Sequence, residues 1–201
     1  MDLVAGPDGR LRCWWGVGSP EYLAYHDHEW GRPLHGDREL FEMLTLESFQ
    51  SGLSWLTILR KRDNFRRAFD GWDVGAIAGY GDPDVARLMS DEGIVRNRAK
   101  IDAAIANARA VEELQSGGTT LDELLWSFAP EPGPAPRSGE DLTPTTAEST
   151  AMARELKRRG FRFVGPTTAY SLMQAAGLVN DHLAGCELRD PGGLTGPVKA
   201  A

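Results

Sequence analysis

Apolar residues along this 201-residue chain mostly recur at three- and four-residue intervals, the period of one helix face. The pattern predicts helices over 20–30, with Pro20 in the first turn, and over 37–51, opened by a capping Asp37 and closed by Gly52. A third starts at Ser54 and turns Trp55, Ile58, Leu59, Phe65 and Phe69 to roughly one side. Residues 82–91 and 96–116 read as two helices joined by the short turn EGIVRN. Thr145 and Glu148 have capping-box spacing ahead of a helix ending near Gly160, and a last helix runs from Pro166 to Gly177. The segment APEPGPAPRSGED at 129–141 cannot sustain helix or strand and reads as an exposed surface loop. FRFV at 161–164 is the only strand-like piece, too short for a sheet, so the expected class is all-α.

That periodicity exposes one anomaly. The stripe Leu40, Met43, Leu44 continues onto Glu47. A carboxylate on an inward face needs a partner or a function, because burying it alone is costly. The alternative is a slightly rotated helix, with Leu46 inside and Glu47 at the rim. Gln50 and the turn SGLSW bring Trp55 near the end of this helix, while Tyr22, Tyr25 and His26 fall at i, i+3 and i+4 on the preceding one. Each aromatic alone would suit a core. A carboxylate among them also suits a flat, electron-poor base, which the rings stack on and the charge selects when cationic.

Composition changes this picture little. Hydrophobic residues make up 41% and charged residues 25%, ordinary for a globular protein. No signal-like or membrane-spanning run is visible, so a cytoplasmic protein with no membrane partner is expected. The net charge of −7 argues against nucleic acid, but 60–67 and 154–162 each carry a local balance of +4. The turn containing Gly93, with Arg96, Arg98 and Lys100 beside it, could direct backbone N–H groups and cations at a phosphate. A solvated helical hairpin would look similar.

Two of the four histidines accompany the two cysteines: Cys13 with His26, and His182 with Cys186. A Cys/His pair from each end would complete a tetrahedral zinc site, structural rather than catalytic; buried thiols beside a capping histidine are the alternative. His28 and His35 read as surface residues.

The strings RCWWG, YLAYHDHEWG, LFEMLTLESFQSGLSW, GIVRNRAKI, KRRGFRFVGPT and SLMQAAGLVNDHLAGC, in this order, closely resemble the DNA-3-methyladenine glycosylase I family. The resemblance runs from about residue 12 to 188. It implies one helix-hairpin-helix glycosylase domain of two packed helical lobes over 12–188, between tails at 1–11 and 189–201. It further implies one zinc ion, bound by Cys13, His26, His182 and Cys186, that ties the chain ends together. In the implied pocket Glu47 hydrogen-bonds the methylated adenine, Trp55 stacks on it, and Tyr22, Tyr25 and Trp15 line the cavity. Leu53 is the candidate plug for the gap left in the duplex. The chain departs from the family pattern at Ser48, Phe49 and Ser51, while keeping the glutamate and the Gly-Leu-Ser-Trp turn. The implied activity is hydrolysis of the N-glycosidic bond of 3-methyladenine in double-stranded DNA, carried out by a monomer, with no general base assignable. The rival readings are a zinc-stabilised module that binds damaged DNA without cleaving it, and a helical enzyme acting on a small metabolite.

Overall fold

Local chemistry sets most of the helix starts. The computed structural model describes residues 2–189. Nine helices lie in this range: α1 Pro20–His28, α2 Asp37–Gln50, α3 Trp55–Ala68, α4 Val74–Ala78, α5 Asp82–Ser90, α6 Arg98–Ser116, α7 Leu121–Trp126, α8 Ala147–Arg158 and α9 Pro166–Ala175. Ser19, Ser54 and Asn97 each accept a hydrogen bond, at 3.2 Å, from a backbone N–H three residues on, which satisfies one otherwise orphaned donor.

Two expected caps are placed differently. Thr146, not Thr145, opens α8: its hydroxyl accepts from Ser149 N at 3.1 Å and Ser149 Oγ accepts in return at 2.8 Å. Gly36, at φ 96°, caps α2. Asp37 instead accepts from Asp122 N at 2.9 Å and from Gln115 at 2.7 Å, tying α2 to α6 and α7. The short helices α4 and α7 escape the periodicity because each makes fewer than two turns.

The fold is mostly helical, with one exception at the end expected to be a tail. Strands β1 Leu3–Ala5 and β2 Leu11–Cys13 pair antiparallel, with Leu3 opposite Cys13. FRFV forms no strand. Phe163 takes φ 56°, uncommon for a bulky side chain, and is held there by two buried groups. Ser48 Oγ donates to its carbonyl at 3.2 Å, and Asn107 brackets Arg162 with bonds of 3.1 and 2.7 Å.

Helix α2 is the central element, packed against α3, α6, α7 and α9. Every residue from Leu40 to Phe49 is buried, so beyond its first turn this helix has no solvent face. Both Leu46 and Glu47 are therefore inside. Phe49 packs 4.8 Å from Phe65 and belongs to the core. Strand β2 meets the segment around Glu187: Glu187 N donates to Leu11 O and Leu11 N donates to the Glu187 carboxylate, both at 3.0 Å. Gly177, at φ 71°, lies directly against the backbone of Arg32 and Pro33, where a Cβ has no room. None of the described helices is long and apolar enough to cross a membrane. The expected tail at 189–201 lies, beyond its first residue, outside the described residues.

Candidate functional site: an aromatic cavity backed by a Cys2His2 cluster

A cavity of about 490 Å³ opens where α1, α2 and α3 converge. Glu47 and Gln50 from α2, Tyr22 and Tyr25 from α1, Trp55 from the start of α3, and Trp15 all line it. Tyr25 and Trp55 lie 5.4 Å apart, centroid to centroid, at a tilt of 54°, and Trp15 meets the Tyr22 ring edge-on at 5.9 Å. The Tyr22 hydroxyl accepts from Leu56 N at 3.2 Å, which fixes α1 against the first turn of α3.

Glu47 is 6% exposed, and its Oε2 has no hydrogen-bond partner. Burial pushes its carboxyl up to about 8. Trp55 Nε1 is likewise buried without a partner. Native interiors rarely leave polar atoms unsatisfied, so two on the wall of one cavity point to a polar, planar ligand. The Tyr25 phenol is pushed well above its usual range, by burial and then by the Glu47 charge, and so stays protonated.

Behind the cavity, Cys13, His26, His182 and Cys186 place four buried ligand atoms within 4.8 Å of one another. Cys186 Sγ is 3.7 Å from His26 Nε2 and 3.5 Å from His182 Nδ1, and Cys13 Sγ is 3.9 Å from His182 Nδ1. Zinc bonds of about 2.0–2.3 Å to N and S at tetrahedral angles would separate neighbouring donors by roughly 3.6 Å, so this set fits such an ion. The outer contacts fit too. His26 Nδ1 donates to Asp27 at 2.9 Å and His182 Nε2 donates to Trp30 O at 3.0 Å, leaving the nitrogen that faces the sulfurs free to ligate in each ring. Asp27 is held by Arg12, whose Nε and Nη2 donate to it at 2.9 and 2.7 Å; Arg12 also reaches Asp8. Burial raises the Asp27 carboxyl, but Arg12 and His26 outweigh it and the net direction is down. Gly16 is required here, since a Cβ would come 2.6 Å from the His26 ring.

Trp30 joins the two centres. It lines the cavity, meets Trp15 edge-on at 4.7 Å, and packs on His182 at 4.7 Å. Sequence reasoning missed it, although it lies four residues past His26. It also missed Trp14, Leu142, Ser171 and Gln174, which line the cavity from segments far apart in the chain.

The residues expected to meet DNA differ in exposure and in the partners they already have. Leu53 is 41% exposed on the turn between Gln50 and Trp55, two residues that line the cavity. Arg96 and Arg98 are exposed, but pair with Glu92 at 3.5 Å and Asp102 at 3.1 Å. Gly93 N donates to Asp91 at 2.7 Å, so this amide is already occupied. Lys100 is buried and donates to the carbonyls of Phe49 and Ser51 at 2.9 and 2.5 Å. It closes the C-terminus of α2 and holds the turn that presents Leu53 and Trp55. His28 and His35 are exposed, as expected, with His35 stacked on Trp126 at 4.5 Å.

A family profile described as methyladenine glycosylase matches residues 14–190. The chain is 47% identical over 178 residues to the DNA-3-methyladenine glycosylase 1 of Escherichia coli K12, covering 87% of this chain and 95% of that protein. It is 41% identical to the DNA-3-methyladenine glycosylase of Haemophilus influenzae, with 87% and 96% covered. Among solved structures, a crystal structure of 3-methyladenine DNA glycosylase I superposes with a TM-score of 0.84 at 47% identity, over 87% of this chain and 97% of that one. The Staphylococcus aureus enzyme, described with the structural basis of its 3-methyladenine recognition, gives 0.85 at 34% identity, over 89% and 96%.

Proposed function

The chain belongs to the methyladenine glycosylase family, and from that premise we propose that it excises 3-methyladenine from alkylated DNA, leaving an abasic site. The observation that carries this reading is the unpartnered Glu47 oxygen buried in a cavity walled by Trp15, Tyr22, Tyr25 and Trp55. N3-methylation makes the base cationic and a good leaving group. The protein then has only to extrude the nucleotide, hold the base and let water attack an oxocarbenium-like sugar. Glu47 accepts from the base N–H groups and its charge matches the cation, Trp55 stacks on the ring, and Tyr25, Tyr22 and Trp15 restrict its orientation. Leu53 fills the gap in the duplex. No residue is assigned as general base.

Cys13, His26, His182 and Cys186 would hold one zinc ion. With four protein ligands it supplies stability, not chemistry, by closing the chain ends behind the pocket. The reading is of a single cytoplasmic chain acting on double-stranded DNA, with Arg96, Arg98 and the Gly93 turn beside the backbone. Lys100 serves that face indirectly, through the Leu53 turn.

The test is release of free base from duplexes carrying N3-methyl or N7-methyl lesions. Release confined to 3-methyladenine supports the reading, and binding of such DNA without release would favour a damage-binding module instead. For the footprint, Arg98→Ala should weaken binding to all sequences alike and flatten the salt dependence by about one unit of slope. An unchanged slope places the phosphates elsewhere.

A further inference from the structure

Trp14 and Trp15 are neighbours in one short turn, yet they serve the cavity differently. Trp15 packs inward on Trp30 and His26, whereas Trp14 is 40% exposed and still lines the cavity, in company with Leu142. What holds Trp14 is the loop read as a mere surface connection. A Cβ at Gly139 would come 2.7 Å from the far edge of the Trp14 ring, so the Gly139 backbone lies directly against the indole.

That backbone is itself fixed. Asp141 Oδ2 accepts from Arg137 N at 2.7 Å and from Ser138 N at 3.1 Å, closing the turn. Asp2 bridges the two partners: its carbonyl accepts from Trp14 N at 3.0 Å and its carboxylate from Gly139 N at 3.4 Å. Pro136 O accepts from Ala184 N at 2.7 Å, anchoring the loop to the C-terminal segment that carries His182 and Cys186. A surface connection has no need of these ties to both ends of the chain. Their joint effect is to place one exposed indole and one leucine at the mouth of a cavity that contains an unpartnered carboxylate.

We propose that Trp14, seated on Gly139 and paired with Leu142, is a specificity-determining rim that covers the outer edge of the bound base and limits the bulk of the alkyl group accepted. The inference rests on the glycosylase reading above. An apolar rim excludes water from the Glu47 side of the cavity, where a charge acts more strongly in a low-dielectric surround. It adds an aromatic face to a base otherwise held from within, and narrows the mouth against larger substituents.

The experiment titrates free 3-methyladenine and 3-propyladenine against the parent, Trp14→Ala, Trp14→Phe and Gly139→Ala, with metal content and thermal midpoint measured on each. Trp14→Ala should weaken 3-methyladenine binding by about fivefold to 150-fold, the range expected for one lost aromatic contact to a base. The 3-propyl analogue should lose less, so its affinity relative to 3-methyladenine rises. Trp14→Phe should restore most of the parent's preference. Gly139→Ala lies outside the Cys2His2 segments and drives a methyl into the ring edge, so it should shift the preference the same way by a smaller factor. Parent-like affinity and preference in Trp14→Ala and Gly139→Ala would overturn the proposal. So would a loss of affinity with unchanged preference that tracks metal loss, since that reports only a disturbed Cys13. Failure of the parent to release 3-methyladenine from DNA would instead sink the glycosylase reading, and is read in a separate assay.

Discussion

Two groups of aromatic rings meet helix α2 from different sides, and one is a core while the other is a cavity. Phe49, Phe65, Phe69 and Trp72 are each 1% exposed or less; Phe65 stacks 6.1 Å from Phe69, and Phe69 5.1 Å from Trp72. Three of the four come from α3 and the turn after it, so near-parallel rings fill the space against one face. The second group, Trp15, Tyr22, Tyr25, Trp30 and Trp55, comes from the turn after β2, from α1 and the residues after it, and from the start of α3. Its rings meet on edge or at a tilt and enclose space rather than fill it. They cannot collapse inward, because Trp15 and Trp30 are braced from behind by His26 and His182. Aromatic content alone therefore does not make a binding site. An anchored wall and a polar atom left without a partner do.

The largest expected difference between the two groups concerns the zinc proposed for the Cys2His2 cluster. Stripping it with a strong chelator should destabilise the protein by several kcal/mol, given apparent affinities of about 10–16 kcal/mol for zinc in small metal domains. The fluorescence and base affinity of the open group should be lost before the closed group melts. Elemental analysis showing no zinc in fully stable, active protein would remove the brace from the comparison.

Phe65→Ala comes next: truncating a fully buried ring in the closed group should cost about 3–5 kcal/mol, read from the urea midpoint, with base affinity of the folded fraction unchanged. Equal loss of both would mean the two groups are mechanically one.

Glu47→Gln should behave oppositely. Binding of free 3-methyladenine should fall roughly tenfold to a hundredfold, because a buried hydrogen bond to a charged group contributes about 1.5–3 kcal/mol. Stability should gain at alkaline pH. With Glu47 at about 8 in the folded chain against an ordinary 4.5, both states hold the proton below pH 4.5 and no penalty exists there. As the pH rises towards 8 the unfolded chain ionises first, so the fold loses up to about 4–5 kcal/mol, levelling off once folded Glu47 ionises too. The substitution should flatten that fall. In the parent, recognition of the cationic nucleotide should improve as pH rises towards 8, a limb absent in Glu47→Gln; an identical pH profile in both would place the titration on another group.

The smallest effect is expected for Trp55→Ala, which should cost less stability than Phe65→Ala because its ring already borders open space. Free-base affinity should fall by about 1–3 kcal/mol through lost stacking. A stability loss as large as that of Phe65→Ala would show Trp55 to be core.

Which parts of this were legible beforehand depends on the range of the interaction. Helices α3, α6 and α9 are readable because period, N-caps and terminal Gly or Pro are written within a few consecutive residues. The N-terminal hairpin was hidden: three-residue strands carry too little alternation, and β2 is completed by Glu187 from the other end of the chain. At the site, the carboxylate out of step with its neighbours and the two Cys/His pairs are local anomalies, visible as soon as the chain is read. The choice between Leu46 and Glu47 could not be made that way, because α2 is enclosed on all sides from Leu40 to Phe49 and both are inside.

By itself, then, the sequence determined the seven longer helices, the glutamate out of step with its apolar stripe, and the chemistry of four side chains able to ligate a metal. All of these depend on residue type and on spacing over a turn or two. Tertiary structure alone decided that Lys100 donates to two backbone carbonyls at the end of α2, that Trp30 braces the cavity against the Cys2His2 cluster, and that the Gly139 turn seats Trp14 at its mouth. Each of these depends on a contact between segments about fifty or more residues apart, and which segments meet is set by how the core packs, not by any pattern along the chain.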